Sequence, residues 1–78
     1  MNGNTEFESL SENKWYIETP GVLRWENTGF TIVSDFNGPP MFFVEHNDRK
    51  VSVALTIDTA KSIAKTIADD MNQMGLEI

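Results

Sequence analysis

The residues of this sequence that could do acid–base or metal chemistry are few, and most lie between Glu45 and Ser52. His46 is the single histidine, and the chain has no cysteine. A general base needs a nucleophile beside it, but the expected strand pairing points Ser52 away from His46. Adjacent strand residues also diverge, so Glu45, His46 and Asp48 do not converge on a metal ion. We therefore expect no catalytic residue, no metal site and no cofactor.

Asp69 and Asp70 form the other group of chemical interest. Neighbouring residues of a helix point about 100° apart, so these carboxylates do not make a catalytic pair. They fall near the end of an expected helix, where the macrodipole disfavours negative charge. Two interpretations stay open: a solvated helix face and a surface that binds a partner.

The excess negative charge lies at the two ends of the chain. There are twelve acidic and six basic residues, with a net charge of −6 and a pI near 4.5. Between Lys14 and Lys65, acids and bases balance. The unopposed carboxylates are Glu6, Glu8, Glu12, Asp69, Asp70 and Glu77. This distribution disfavours direct contact with nucleic acid, which needs clustered Lys and Arg.

Length and composition indicate a single small globular domain over residues 1–78. The chain is 40% hydrophobic, with two Trp, five Phe and one Tyr. Without cysteine, stability must come from one packed core. No apolar run approaches the roughly 20 residues of a membrane span, and "MNGNTEFESL" lacks the features of a signal peptide. We expect a cytoplasmic protein that does not associate with membranes.

Residues 14–56 predict an antiparallel meander of about five short strands. A loop at Thr19–Gly21 closes the first hairpin, which pairs Trp15 with Trp25 and Ile17 with Leu23. The turn "NTG" closes the second, with these pairs: Glu26 with Thr31, Trp25 with Ile32, and Leu23 with Ser34. Asn47-Asp48 closes the last, with these pairs: Glu45 with Lys50, Val44 with Val51, and Phe42 with Val53.

From Ile57 onward, apolar residues recur at helical spacing. Thr56 is the expected N-cap, and Leu55 is expected to pack on Ala60 as a hydrophobic staple. Gly75 should end the helix, with Leu76 folding back on the last turn. A short helix is also expected over residues 5–12, where Thr5-Glu6-Phe7-Glu8 has the form of a capping box.

The expected fold is therefore α+β, an antiparallel β-meander with a C-terminal helix packed on one face and a possible short N-terminal helix. The expected core consists of Trp15, Ile17, Leu23, Trp25, Phe30, Ile32, Phe42, Val44, Val51, Val53, Leu55, Ala60, Ile63, Ala64, Ile67 and Met71.

Three apolar residues in a row, Met41-Phe42-Phe43, predict a second apolar surface. Phe42 faces the helix, so Met41 and Phe43 must point to the other face of the sheet. There they join Tyr16, Val33 and Ala54, beside the stiff loop Gly38-Pro39-Pro40. Exposed apolar patches of this kind often mark interaction sites.

These observations favour a non-enzymatic protein-interaction module. Tyr16, Val33, Met41 and Phe43 form one candidate partner-binding surface. The terminal carboxylates form the second, an acidic pole suited to a protein with a basic surface. In size, charge and lack of catalytic groups, the whole chain is similar to small phage-encoded inhibitors of bacterial defence, such as anti-CRISPR proteins. That similarity implies a viral inhibitor that binds a nucleic-acid-handling complex. The alternative is a small regulatory or ligand-binding homodimer that associates through the outer sheet face.

Overall fold

The computed structural model describes residues 14–78, which form an antiparallel sheet of five strands with a helix packed on one face. The strands lie side by side in chain order. The elements are β1 (Trp15–Thr19), β2 (Val22–Trp25), β3 (Phe30–Asp35), β4 (Met41–His46), β5 (Arg49–Ala54) and α1 (Ile57–Gln73). The α+β class and the meander order are confirmed. The short helix expected over residues 5–12 lies outside the described residues.

β1 and β2 pair in the predicted register, with Trp15 opposite Trp25 and Ile17 opposite Leu23. Beyond Ile17 the register shifts, and the turn contracts to Pro20–Gly21, one residue shorter than predicted. Gly21 has a φ of 82°. Glycine adopts this conformation at little cost because it lacks a Cβ.

β2 and β3 pair two residues away from the predicted register. Leu23 lies opposite Ile32, where the sequence predicts Ser34. The cause is a longer turn, in which Thr28 folds back on Trp25. The Thr28 amide and hydroxyl donate to the Trp25 carbonyl oxygen at 3.1 and 2.8 Å. Because side chains alternate with a period of two, this shift leaves every side chain on its predicted face.

β3 and β4 pair over their whole length, from Phe30 with His46 to Asp35 with Met41. The chain then turns into β5 at Asn47–Asp48, whose φ values are 51° and 69°. Two consecutive positive φ values are typical of the type I′ turn that suits a twisted hairpin. The predicted hairpin turn is confirmed.

A β-bulge interrupts the last strand pair. Glu45 lies opposite Lys50 as predicted, but the next pair is Val44 with Ser52, so Val51 is an extra residue in β5. A one-residue slip turns every following side chain to the other face of the sheet. The predicted pairing of Val44 with Val51 is therefore wrong.

Because of this slip, the predicted core is wrong in β5. Val51 and Val53 are each 45% exposed and are not core residues. Ala54 takes their place, buried on the helix side of the sheet. It lies opposite Phe42, the position that the sequence assigns to Val53.

α1 begins as predicted. The Thr56 hydroxyl oxygen accepts a hydrogen bond from the Thr59 amide at 3.1 Å. At the other end, Gly75 has a φ of 78°, and the Leu76 amide donates to the Met71 carbonyl oxygen at 2.8 Å. This Schellman arrangement satisfies a carbonyl group that the helix leaves unpaired.

The core lies between α1 and the sheet, mainly over β3 to β5, with contributions from β1 and β2. Its buried residues are Trp25, Phe30, Ile32, Phe42, Val44, Ala54, Ala60, Ala64 and Ala68. Packed against them are Trp15, Leu23, Ile63, Ile67, Met71 and Ile78. Three alanines line the buried face of α1, so the helix backbone lies close to the sheet.

The sequence predicts Ile17 and Leu55 in the core, but both are exposed, at 73% and 72%. α1 packs mainly on β3, β4 and β5, so it leaves the Ile17 part of β1 uncovered. Leu55 precedes the helix and points into solvent, which also excludes the predicted staple on Ala60. In residues 14–78, no helix is long and apolar enough to cross a membrane.

Candidate interaction surface

The sheet face turned away from α1 carries a row of apolar side chains across four strands. Val22 pairs with Val33, Val33 with Phe43, and Phe43 with Val53. Directly opposed residues of adjacent strands present their side chains on one face. Within residues 14–78 no second layer covers this face, since α1 packs on the other. We define the outer-sheet surface as this row together with Tyr16 and Met41.

The structure brings together the four apolar residues that the sequence assigns to this surface. Tyr16 is 47% exposed, and Val33, Met41 and Phe43 are half-buried. Phe42, between two outward-facing neighbours, is buried toward α1. The predicted fifth member, Ala54, is wrong, because the bulge in β5 turns it toward the helix.

Sequence reasoning missed two members of the surface, for different reasons. Val22 could have been found, because it precedes Arg24 by two residues and so shares its face. Val53 could not, because its direction depends on the bulge. If side chains simply alternated along β5 from the Glu45–Lys50 pair, Val53 would face the helix.

A row of polar residues lies next to the apolar row. Its members, from β1 to β5, are Tyr16, Arg24, Thr31, Glu45 and Lys50. Arg24 forms an ion pair with Glu18. The side-chain hydrogen bond between them lowers the pKa of Glu18 and raises the pKa of Arg24. Lys50 Nζ lies 4.1 Å from the centre of the Phe43 ring. Charged groups therefore border the apolar row directly.

The loop from Phe36 to Pro40 turns toward the helix side of the sheet end. Phe36 is 66% exposed, and its ring lies 5.9 Å from the Phe42 ring at an angle of 85°. Pro40 lines a depression together with Phe42 and Leu55. The sequence places this loop beside the outer patch, whereas in the structure Phe36 and Pro40 contact Phe42 on the helix side of the sheet.

Asp69 and Asp70 are exposed on α1, in the layer opposite the outer-sheet surface. Asp69 Oδ2 lies 3.7 Å from Lys65 Nζ, one helical turn earlier. The other members of the expected acidic pole, Glu6, Glu8 and Glu12, lie outside the described residues. Phe43 is on the sheet face turned away from α1, so Asp69 and Asp70 do not belong to the outer-sheet surface.

His46 faces the helix side of the sheet, with its ring centroid 4.5 Å from that of Phe30. Its Nε2 atom is buried and has no hydrogen-bond partner within residues 14–78. Ser52 shares this face, contrary to the prediction, because it follows the bulge. Even so, Nε2 makes no hydrogen bond to Ser52. Across the described part of the chain, no group of three His, Asp or Glu side chains could hold a metal ion.

Comparison with protein families, with curated proteins and with solved structures finds no match for this chain. A proposal for its function therefore rests on the surfaces of the molecule itself.

Proposed function

We propose that this protein is a non-enzymatic interaction module that docks a partner protein on the outer-sheet surface. The observation that carries the proposal is the cross-strand row of Val22, Val33, Phe43 and Val53 on the face opposite α1. Monomeric proteins rarely leave a contiguous apolar patch open, and such patches frequently mark contact sites.

The size of this face sets a requirement on the partner. Strands about 4.8 Å apart and about five residues long give a face of roughly 20 by 17 Å. That is about 350 Å², whereas a stable interface buries about 800 Å² on each side. The partner must therefore cover this whole face, the polar row included, and extend beyond it onto the rim.

The charge of the chain favours a partner with a basic rim. Residues 14–78 contain nine acidic and six basic residues, and the whole chain has a net charge of −6. On the outer-sheet rim, Arg24 is already paired with Glu18. Glu45 and Asp35 make no ion pair with another described residue. A negative field increases the rate at which a basic protein associates.

An inhibitor of a nucleic-acid-handling complex is the narrower form of this proposal. Proteins that handle nucleic acid carry clustered Lys and Arg, which an acidic module can engage in place of phosphates. The similarity in build to small phage-encoded inhibitors supports this form. The acidic charge is consistent with it.

Site-specific photo-crosslinking tests the proposal. A photoreactive phenylalanine analogue is placed at Val53 on the outer-sheet surface and, as a matched control, at Thr66 on the exposed face of α1. Crosslinking is done in host-cell lysate, and the products are identified by mass spectrometry. We expect the Val53 position to capture one defined protein that the Thr66 position does not. Phe43→Ser should abolish capture, whereas Asp69→Lys/Asp70→Lys, which weakens the negative field but leaves the outer-sheet surface unchanged, should only slow it.

Two outcomes would contradict the proposal. Equal capture from both positions would show that the outer-sheet surface has no preferred partner. Capture lost with Asp69→Lys/Asp70→Lys but kept with Phe43→Ser would move the site to the acidic helix face. Sedimentation of the purified protein separates the homodimer alternative: a dimer that Val53→Lys dissociates would make a second copy the occupant.

A further inference from the structure

A separate apolar groove lies at the end of the sheet where α1 begins. It consists of two adjoining depressions that share Ile57, a shallow one of about 400 Å³ and a deeper one of about 230 Å³, both open to solvent. Phe42, Leu55 and Asp58 line the first, and Ile17 and Leu23 line the second. We call these two depressions the end groove.

The end groove exists because the helix covers only part of the sheet. α1 packs mainly on β3 to β5, so Ile17 on β1 remains 73% exposed. Leu55 and Phe36, at 72% and 66%, stand at the same end of the sheet. Among the large hydrophobic side chains of the described residues, the two most exposed, Ile17 and Leu55, thus both line the groove.

The groove carries one charge. Asp58 is the only charged residue among the described residues that line either depression. It makes no ion pair with another residue of 14–78. The helix N-terminus contributes about half a positive charge, which a full carboxylate outweighs. Lys61, one turn further along α1, lines neither depression. A cation beside an apolar side chain is the chemistry that complements this site.

We propose that the end groove binds a short segment of a partner protein with two apolar side chains and an adjacent Lys or Arg. One apolar side chain fills each depression, on either side of Ile57, and the cation pairs with Asp58. Residues 1–13 of the same chain lack the required cation, since they contain Glu6, Glu8 and Glu12 and no basic residue. Val22 is the one member of the outer-sheet surface that also lines the end groove, and Val53 lies outside it.

The test is a titration of the full chain, labelled on its Ile, Leu and Val methyl groups, with synthetic peptides. One peptide has two leucines four positions apart, flanked by lysines. Its matched control replaces the lysines with glutamates. We expect saturable shifts of the Ile17, Leu55 and Ile57 methyl signals, with the lysine peptide binding about tenfold more tightly than the glutamate peptide.

Three exposed positions provide the variants. Leu55→Ser should weaken the lysine peptide about tenfold, and Asp58→Asn should remove the difference between the two peptides. Val53→Ser, on the opposite sheet face, should change neither. Shifts that avoid Ile17, Leu55 and Ile57, or equal affinity for both peptides, would overturn the proposal. Self-association that Leu55→Ser abolishes would also overturn it, because a second copy would then fill the groove.

Discussion

Lys50 Nζ lies 4.1 Å from the centre of the Phe43 ring, on the sheet face turned away from α1. Phe43 is half-buried, and Lys50 is held over it by the pairing of β4 with β5. The ammonium group covers part of an aromatic ring that would otherwise face water. A partner that binds the outer-sheet surface must therefore displace Lys50 or contact it.

We expect Lys50→Met to lower the free energy of unfolding by about 0.5–1 kcal/mol, the usual magnitude of an exposed cation–π contact. Urea unfolding followed by tryptophan fluorescence measures the change. Arg49→Met, in the same hairpin and also exposed, is the control. In a double-mutant cycle, Phe43→Leu should make Lys50→Met nearly neutral. If Lys50→Met lowered the free energy of unfolding by the same amount in the wild type and in Phe43→Leu, that result would contradict a cation–π contribution.

The ion pair between Arg24 and Glu18 gives a pH-dependent contribution to stability. The hydrogen bond from Arg24 lowers the pKa of Glu18 below its ordinary value of 4.5. A group with a lowered folded-state pKa stabilises the fold above its unfolded-state pKa. The contribution is lost as the pH falls through the folded-state value. We expect the stability difference between wild type and Arg24→Gln to be constant near neutral pH and to shrink below about pH 4.5.

Carboxyl carbon NMR titration of Glu18 checks the cause directly. In Arg24→Gln the pKa of Glu18 should rise toward its ordinary value, and in Lys65→Gln it should not move. High salt should reduce the effect, because both side chains are partly exposed to solvent. A Glu18 titration that Arg24→Gln leaves unchanged would show that another group causes the shift.

Ala64 is fully buried where α1 meets the sheet. We expect Ala64→Leu to lower the free energy of unfolding by about 1–3 kcal/mol, because the added carbons must push the helix away from the core. Thr66→Leu, on the exposed face of the same helix, should change it by less than about 0.5 kcal/mol. Chemical unfolding of both variants gives the comparison. A neutral Ala64→Leu would mean that α1 does not lie close to the sheet there.

Gly29 lies in the turn between β2 and β3, and its backbone forms hydrogen bonds with the turn between β4 and β5 and with the last residue of the sequence. Its amide donates to the Ile78 carbonyl oxygen at 3.2 Å, and its carbonyl oxygen accepts from the Asn47 amide at 3.0 Å. A Cβ at this position would overlap the side-chain oxygen of Asn47 and lie 3.3 Å from His46 Cδ2. We expect Gly29→Ala to cost about 1–2 kcal/mol of unfolding free energy.

The matched control is Gly38→Ala, because a Cβ on Gly38 meets nothing within 4 Å. It should be neutral or slightly stabilising. Asn47→Gly keeps the positive φ of that turn and removes the overlapping side chain, so it should make Gly29→Ala less costly. Thermal unfolding of the four single and double variants measures the coupling. If the stability losses of Gly29→Ala and Asn47→Gly simply added in the double variant, overlap with the Asn47 side chain would not be the cause of the destabilisation.

Several features of this fold could be predicted from residues that are close together in the sequence. Thr56 caps α1 and Gly75 ends it, because capping depends only on neighbouring backbone groups. The register of Trp15 with Trp25 follows from matched apolar pairs beside a short turn. The outward direction of Met41 and Phe43 follows from the side-chain period of a strand once Phe42 faces the core.

The tertiary structure alone decided the rest. The bulge at Val51 inserts one residue into the last hairpin, and this exchanges Val53 for Ala54 beneath the helix. Placement of α1 over β3 to β5 leaves Ile17 uncovered and opens the end groove. The regular repeat of side-chain direction along a strand or helix determines which side chains of that element share a face. It does not fix where a strand slips by one residue or which strands a helix covers, because both depend on packing between elements that are distant in the chain.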